Sequence, residues 1–154
     1  MNCGSLTLGM NTDYIYIKNS LNDIAFSFST TFVFAIVSEY PTLSGHGIAF
    51  VIAPTRGLPG ALPSQYLGLF NDTNNGNSTN HVVAIELDTI HSLEFNDIND
   101  NHVGVDINSL ETATSTSAGY YATSGGFMNM TLISGHPLQV GWNTMGSRSK
   151  SMSL

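Results

Sequence analysis

Positive charge is scarce in this chain. Four Lys and Arg stand against eleven Asp and Glu, a formal net charge of -7, whereas a protein that neutralises phosphates needs clustered Lys and Arg. Nucleic acid is thereby excluded as a partner. Cysteine is rarer still: Cys3 is the single one, so no intramolecular disulfide can staple the fold, and an inert free thiol is what its isolation implies. Long apolar runs are also missing. Phe32 to Val37, a run that none exceeds, is far short of the roughly 20 residues that cross a bilayer as a helix. The N-terminus has no basic stretch followed by an apolar one, so neither a membrane-crossing helix nor a secretory signal is expected within the chain as written. A sustained 3.6-residue apolar period and a glycine-rich phosphate loop are absent too.

What is present suits one all-β domain. Hydrophobic residues make up 42% of the 154 positions, enough for a core, and they recur with a period of two. Phe26 and Phe28, then Phe32, Phe34 and Ile36, alternate with small or polar residues. Gly47 to Ala53 is a second strand, closed by Pro54, and the apolar pattern resumes at Tyr66 to Phe70. Asn74-Asn75-Gly76-Asn77 marks a turn. Strands are expected over His81 to Thr89 and His102 to Ile107, a Ser/Thr-rich loop over Ala113 to Ser117, and two further strands between Gly119 and Val140 around a turn at Ser134-Gly135. Three Asn-x-Thr sequons, at Asn71, Asn77 and Asn129, would be glycosylated only in a secreted chain.

The stretch AIELDTIHSLEFNDINDNHVGVD, residues 84–106, concentrates the acids, and no Lys or Arg occurs between Arg56 and Arg148 to neutralise them. On a strand Glu86 and Asp88 share one face while Ile85 and Leu87 point into the core. Two neighbouring carboxylates repel, and a divalent cation is the usual remedy. An antiparallel hairpin would return Asp97 and His102 beside them. Three carboxylates and an imidazole suit manganese or another first-row metal, while carboxylates, carbonyls and amides suit calcium. The same residues also fit a solvated acidic loop with a histidine at the strand end.

A catalytic reading competes. Glu86-Leu87-Asp88 matches the first two acids of the jelly-roll glycoside hydrolases, but retaining hydrolysis needs two working carboxyls roughly 5 to 5.5 Å apart. The third position here is Ile90 or His91, and Glu94 lies beyond the strand. His81, His91 and His136 have no partnered nucleophile and are expected on surfaces or loops. An enzyme is therefore not expected.

The segment resembles the metal-binding hairpin of the legume (L-type) lectins, in which Glu-x-Asp-Thr is followed by Asp and then His-Val-Gly-Val-Asp. The likeness runs from about Asn19 to Val140 through SFSTTFVFAIV, GHGIAFVIAPT, YLGLFN, NHVVAIELDT and NHVGVDINS. It is most evident toward the ectodomains of plant lectin receptor kinases, which share GHGIAF and EFNDINDNH. The resemblance implies a concanavalin-like jelly-roll sandwich of antiparallel sheets, here incomplete, with a ligand at the loop end of the curved sheet. It also implies a non-catalytic, carbohydrate-binding module that takes Ca2+ and Mn2+ or a similar ion and recognises a glycan or glycoconjugate. Its place would be outside the cell or at the plasma-membrane surface, reaching the membrane only through a receptor portion that this chain does not contain.

Carried over by position, Glu86, Asp88, Asp97 and His102 take the transition-metal places, and Asp88, the carbonyl of Ile90, Ser92 and Asp97 take calcium. Four positions depart from the sugar-binding pattern. Ser92 replaces an Asn that binds both calcium and sugar, His46 replaces an Asp, Ser64-Gln65 replaces Gly-Gly, and Ile90 replaces the aromatic that stacks on the sugar. The resemblance therefore implies weakened calcium and a partly degenerate sugar site, for which an apolar or protein ligand is the alternative. Residues 1–18 read as a divergent segment and 19–140 as a partial domain. Residues 141–154, GWNTMGSRSKSMSL, read as a tail outside the family pattern with no strand alternation. With one choice of synonymous codons for Val140 to Leu154, a single base inserted after codon 140 would give the family-like VWVEYDGIEKQIDVT, so the tail reads as out of frame.

Overall fold

The structure is a computed structural model that describes residues 29–40, 44–144 and 150–153. Cys3, Phe26, Phe28 and the segment 1–18 lie outside the described residues. Nine strands are described: β1 (Ser29–Phe34), β2 (Gly47–Ile52), β3 (Val83–Asp88), β4 (His102–Ile107), β5 (Thr114–Ser117), β6 (Gly119–Tyr121), β7 (Phe127–Asn129), β8 (Leu138–Thr144) and β9 (Lys150–Ser153). β2, β3, β4 and β5 form one antiparallel sheet in chain order, β1, β8 and β9 form another, and β6 pairs with β7 alone.

The two larger sheets pack face to face, as alternation with a buried inner side requires. Phe34, Val140 and Trp142 meet Ile85, Leu87 and Val103 in one buried cluster. Phe32 stacks on Phe50, ring centroids 5.3 Å apart, and Phe50 meets Trp142 edge-on at 6.1 Å. The other face of the four-stranded sheet is covered as well. There Ala84, Ala49 and Val51 lie under Leu69, Phe70, Phe95 and Leu110 from the connecting loops. The acidic hairpin thus runs between two apolar layers, which is why its carboxylates are removed from water.

Three expectations are corrected. Ala113 to Ser117 is not a loop: Thr114–Ser117 pairs with β4 as an edge strand, a place that β-branched Thr suits. Between Gly119 and Val140 the chain makes the β6–β7 hairpin, turning at Ala122 to Gly126, before β8 begins at Leu138. The segment after Val140 does continue as a strand, paired with β1 through Asn143. Val140 and Trp142 are both buried, two residues apart on one face, an alternation hidden in the sequence by the small residues around it.

Candidate functional site

Register arranges the outer face of the four-stranded sheet in rows. Gly47, Asp88 and His102 stand side by side, then Ala49, Glu86 and Gly104, then Val51, Ala84 and Asp106. Among the described residues, the His, Cys, Asp and Glu side chains near enough to share one ion are Glu86, Asp88 and His102, whose ligand atoms all lie within 4.8 Å of one another. All three are buried. His102 is held at both nitrogens: Nδ1 lies 2.8 Å from the Asn99 carbonyl and Nε2 lies 3.1 Å from Glu86 Oε1. A carbonyl only accepts, so Nδ1 carries hydrogen; in the protonated ring Nε2 donates to Glu86, and once that proton leaves, its lone pair is what a metal ion would take.

The loop after β3 turns back onto the same place. The Ile90 N–H donates to Asp88 Oδ1 at 2.7 Å, and the Ser92 N–H donates to Asp97 Oδ2 at 2.6 Å. Asp97 is buried but stands outside the group of three. Thr112 Oγ1 donates to Glu86 Oε1 at 3.0 Å. Gly104 makes room for this arrangement, because a β-carbon there would collide with Glu86 Oε1 and Thr112 Cγ2.

Burial, together with crowding by like charge, shapes the electrostatics. The Asp88 pKa is raised to about 7 by burial, which the Ile90 N–H opposes and the charges of Asp97 and Glu86 reinforce. Burial also raises Asp97. For His102, burial pulls the pKa down, but the hydrogen bond and charge of Glu86 with the Asn99 carbonyl outweigh it, and the net direction is up. Asp106 is the extreme case. It is fully buried, neither carboxyl oxygen has a hydrogen-bond partner among the described residues, and burial followed by the Glu86 charge pushes its pKa to about 9. These are acids held in place by the sheet against their own repulsion, the condition that a multivalent cation relieves.

The residues at the ligand-facing positions lie on loops at the end of β3. Thr89 fixes the first loop: its N–H donates to the His46 carbonyl at 3.3 Å, its hydroxyl to the Gly45 carbonyl at 2.6 Å, and its carbonyl accepts from Ser44 Oγ at 3.1 Å. The half-buried His46 ring comes within 3.4 Å of Ser64 Oγ. Ser64 has φ +67, a conformation glycine would adopt at lower cost. Gln65 is half-buried beside it, as is Ile90, while Ser92 is buried. An open cleft of about 500 Å³ adjoins Ile90, bounded by Ser44, Thr89, His91, Asn101 and Ile133 among others.

His81, His91, His136 and Glu94 are all exposed, and none joins the group formed by Glu86, Asp88 and His102. Three contributors escaped the sequence reading: Asp106, Thr112 and Gly104. Asp106 and Gly104 were signalled by the two-residue alternation that starts at His102. Thr112 carried no signal, since its bond to Glu86 spans 26 residues.

The legume lectin domain pattern matches residues 10–153. The L-type lectin-domain containing receptor kinase IV.2 of Arabidopsis thaliana is 59% identical over 138 residues, covering 90% of this chain and 20% of that protein. The chain therefore spans about a fifth of that relative's length. The Lotus tetragonolobus seed lectin superposes with a TM-score of 0.62 at 23% identity, over 84% of this chain and 50% of its own. Basic winged bean lectin, whose structure includes Tn-antigen, gives 0.56 at 26% identity over 79% and 44%. The match of fold, hairpin and family pattern together establishes that the chain belongs to the legume lectin family.

Proposed function

We propose that this chain is a carbohydrate-binding module, non-catalytic, whose metal floor matches the family and whose monosaccharide rim is altered. The observation that carries this reading is the buried convergence of Glu86, Asp88 and His102 directly beneath the loops bearing His46, Ile90 and Ser92. In this reading Glu86, Asp88, Asp97 and His102 hold manganese or a similar ion. Asp88, the Ile90 carbonyl, Ser92 and Asp97 hold calcium more weakly, because a hydroxyl replaces an amide ligand. The donor set fits: carboxylates with raised pKa values and an imidazole with Nδ1 already engaged suit such ions. When bound, the ions supply the positive charge that the segment lacks. The chain's own part is to fix residues 90–97 through the bonds Ile90 to Asp88 and Ser92 to Asp97, and so to set the floor on which a glycan rests.

The ligand class is a glycan or glycoconjugate, consistent with a winged bean relative solved with Tn-antigen. The setting is the outer cell surface, consistent with relatives that are receptor kinases. Isothermal calorimetry with Mn2+ and Ca2+, followed by a glycan array in both ions, tests the proposal. Metal-dependent retention of oligosaccharides, with weak or absent monosaccharide binding, is the expected result. Failure to bind either metal would remove its basis.

A further inference from the structure

We infer that Asn77 is an N-glycan attachment site and that Asn71, which heads a sequon of the same form, is instead a structural residue that the folded chain closes to sugar. This rests on the chain entering a secretory compartment, as the lectin reading implies. The two sequons make a controlled comparison. In each, the Asn Oδ1 accepts from the backbone N–H and the hydroxyl of the Thr two residues on: 2.9 and 2.7 Å at Asn71, 3.0 and 2.8 Å at Asn77. The bonds from the Thr to the acceptor half of the amide are therefore the same in both.

The nitrogen half differs. Asn71 Nδ2 donates to the Gly60 carbonyl at 3.0 Å, and a β-carbon at Gly60 would already stand 3.5 Å from it. Asn71 Oδ1 also accepts from the Asn74 N–H at 3.0 Å, while the Asn71 N–H donates to Asn74 Oδ1 at 2.7 Å. Half-buried next to the buried Phe70, this side chain pins the 58–62 loop to the 71–74 turn. Asn77 is exposed, and its Nδ2 has no partner among the described residues. Asn129 is exposed on β7, where no bond joins it to Thr131 among the described residues.

The modification is a transfer from a lipid-pyrophosphate-linked oligosaccharide, the co-reactant of the secretory compartment. A bond forms between Nδ2 and the anomeric carbon as the bond from that carbon to the pyrophosphate oxygen breaks. The lipid pyrophosphate leaves with the electron pair, and the amide nitrogen gives up one proton to the transferring enzyme. At Asn77 that proton is one that no protein group uses. At Asn71 one of the two Nδ2 hydrogens already goes to the Gly60 carbonyl, so a sugar ring on that nitrogen would crowd the 58–62 loop.

The test is site-resolved glycan mapping of the whole chain delivered to the secretory lumen of cultured plant cells behind a leader peptide. Glycans are removed by a peptide amidase in 18O-water, and the resulting heavy Asp residues are located by tandem mass spectrometry in the soluble, protease-resistant fraction. We expect the label at Asn77 and not at Asn71. Asn77→Gln and Thr79→Ala should each delete the mass of that one glycan, whereas Asn71→Gln should leave the glycan in place and lower the thermal midpoint. An unlabelled Asn77 in lumen-delivered chains, or a labelled Asn71 in the folded fraction, overturns the inference. The mapping is read out independently of sugar and metal binding, so its failure and the failure of the lectin reading are distinguishable outcomes.

Discussion

The floor and the rim of the site are built differently, although Asp88 and Ile90 are only two residues apart. On the floor, Glu86, Asp88, His102 and Asp106 sit on paired strands, buried, with positions set by register on both sides. On the rim, His46 and Ile90 sit on loops and Ser64 and Gln65 on the short 3-10 helix Ser64–Tyr66, partly open to solvent, and Ser64 is held at a positive φ. In the proposed reading the metal-holding strand residues belong to the floor, while the departures from the sugar-binding pattern fall at the rim and at Ser92 just beneath it. Physics separates the two. Removing one partner of the buried Glu86–His102 pair leaves the other uncompensated, typically about 3–5 kcal/mol, whereas a solvent-facing loop residue can change with little effect on folding. Stability therefore constrains the floor, and only recognition constrains the rim.

The comparison breaks most completely where rim meets floor, at Gly47. Its φ of +113 and its closeness to the Leu87 carbonyl leave no room for a side chain. Gly47→Ala should destabilise by at least about 3 kcal/mol, combining backbone strain with overpacking, measured by urea denaturation. An unchanged midpoint would show that β2 does not meet β3 as described.

The next largest effect belongs to the floor. Asp88→Ala should abolish Mn2+ binding in calorimetry, and Gly104→Ala should weaken it by displacing Glu86, while His46→Ala at the rim leaves it unchanged. Equal Mn2+ affinity in all three variants would sink the assignment of the floor.

A dependence on pH follows from the raised carboxyls. A group whose folded pKa lies above its unfolded value contributes stability at low pH that is lost as pH rises through the folded value. For Asp88 that window runs from 3.8 to about 7, and for Asp106 from 3.8 to about 9. The raised pKa of His102 acts in the same direction. The metal-free protein should thus be more stable at pH 5 than at pH 8 by thermal unfolding, and saturating Mn2+, which requires the ionised carboxylates, should narrow or reverse the difference. A metal-free midpoint that climbs over this range would contradict the burial of these acids.

Restoring the binding positions sharpens the contrast from the other side. His46→Asp together with Ser92→Asn should strengthen calcium binding and bring back measurable monosaccharide affinity in titration calorimetry, with the Mn2+ affinity unaltered. No gain in either would mean that the sugar contacts lie elsewhere. The smallest effect is expected at Ser64→Gly, where relief of the left-handed φ should stabilise the chain by up to about 1 kcal/mol. A loss of stability there would show that the His46 to Ser64 contact matters more than the strain.

Much of the floor was legible in the sequence because a strand writes its geometry with a period of two. Glu86 and Asp88 had to share a face, and so did His102, Gly104 and Asp106. The strand from His102 to Ile107 lies where the alternation placed it. Elsewhere that signal was too weak to decide. Thr114–Ser117 alternates among polar residues, so nothing apolar marked it as an edge strand. After Val140, Gly and Asn flank Trp142 and conceal the buried face.

By itself the sequence determined the class of the fold, the faces of its strands, the scarcity of positive charge around the acids and the family to which the hairpin belongs. These are local or compositional properties, carried by spacing along one chain. Tertiary structure alone decided which acids meet. It set Asp106 near Glu86 without a hydrogen-bond partner among the described residues, drew Thr112 onto the Glu86 carboxylate, required Gly104 to be bare, and gave two sequons of the same form different hydrogen-bond surroundings at Asn71 and Asn77. Such outcomes depend on register between strands and on the packing of distant loops, whose contacts have no fixed separation in sequence and so leave no periodic trace in it.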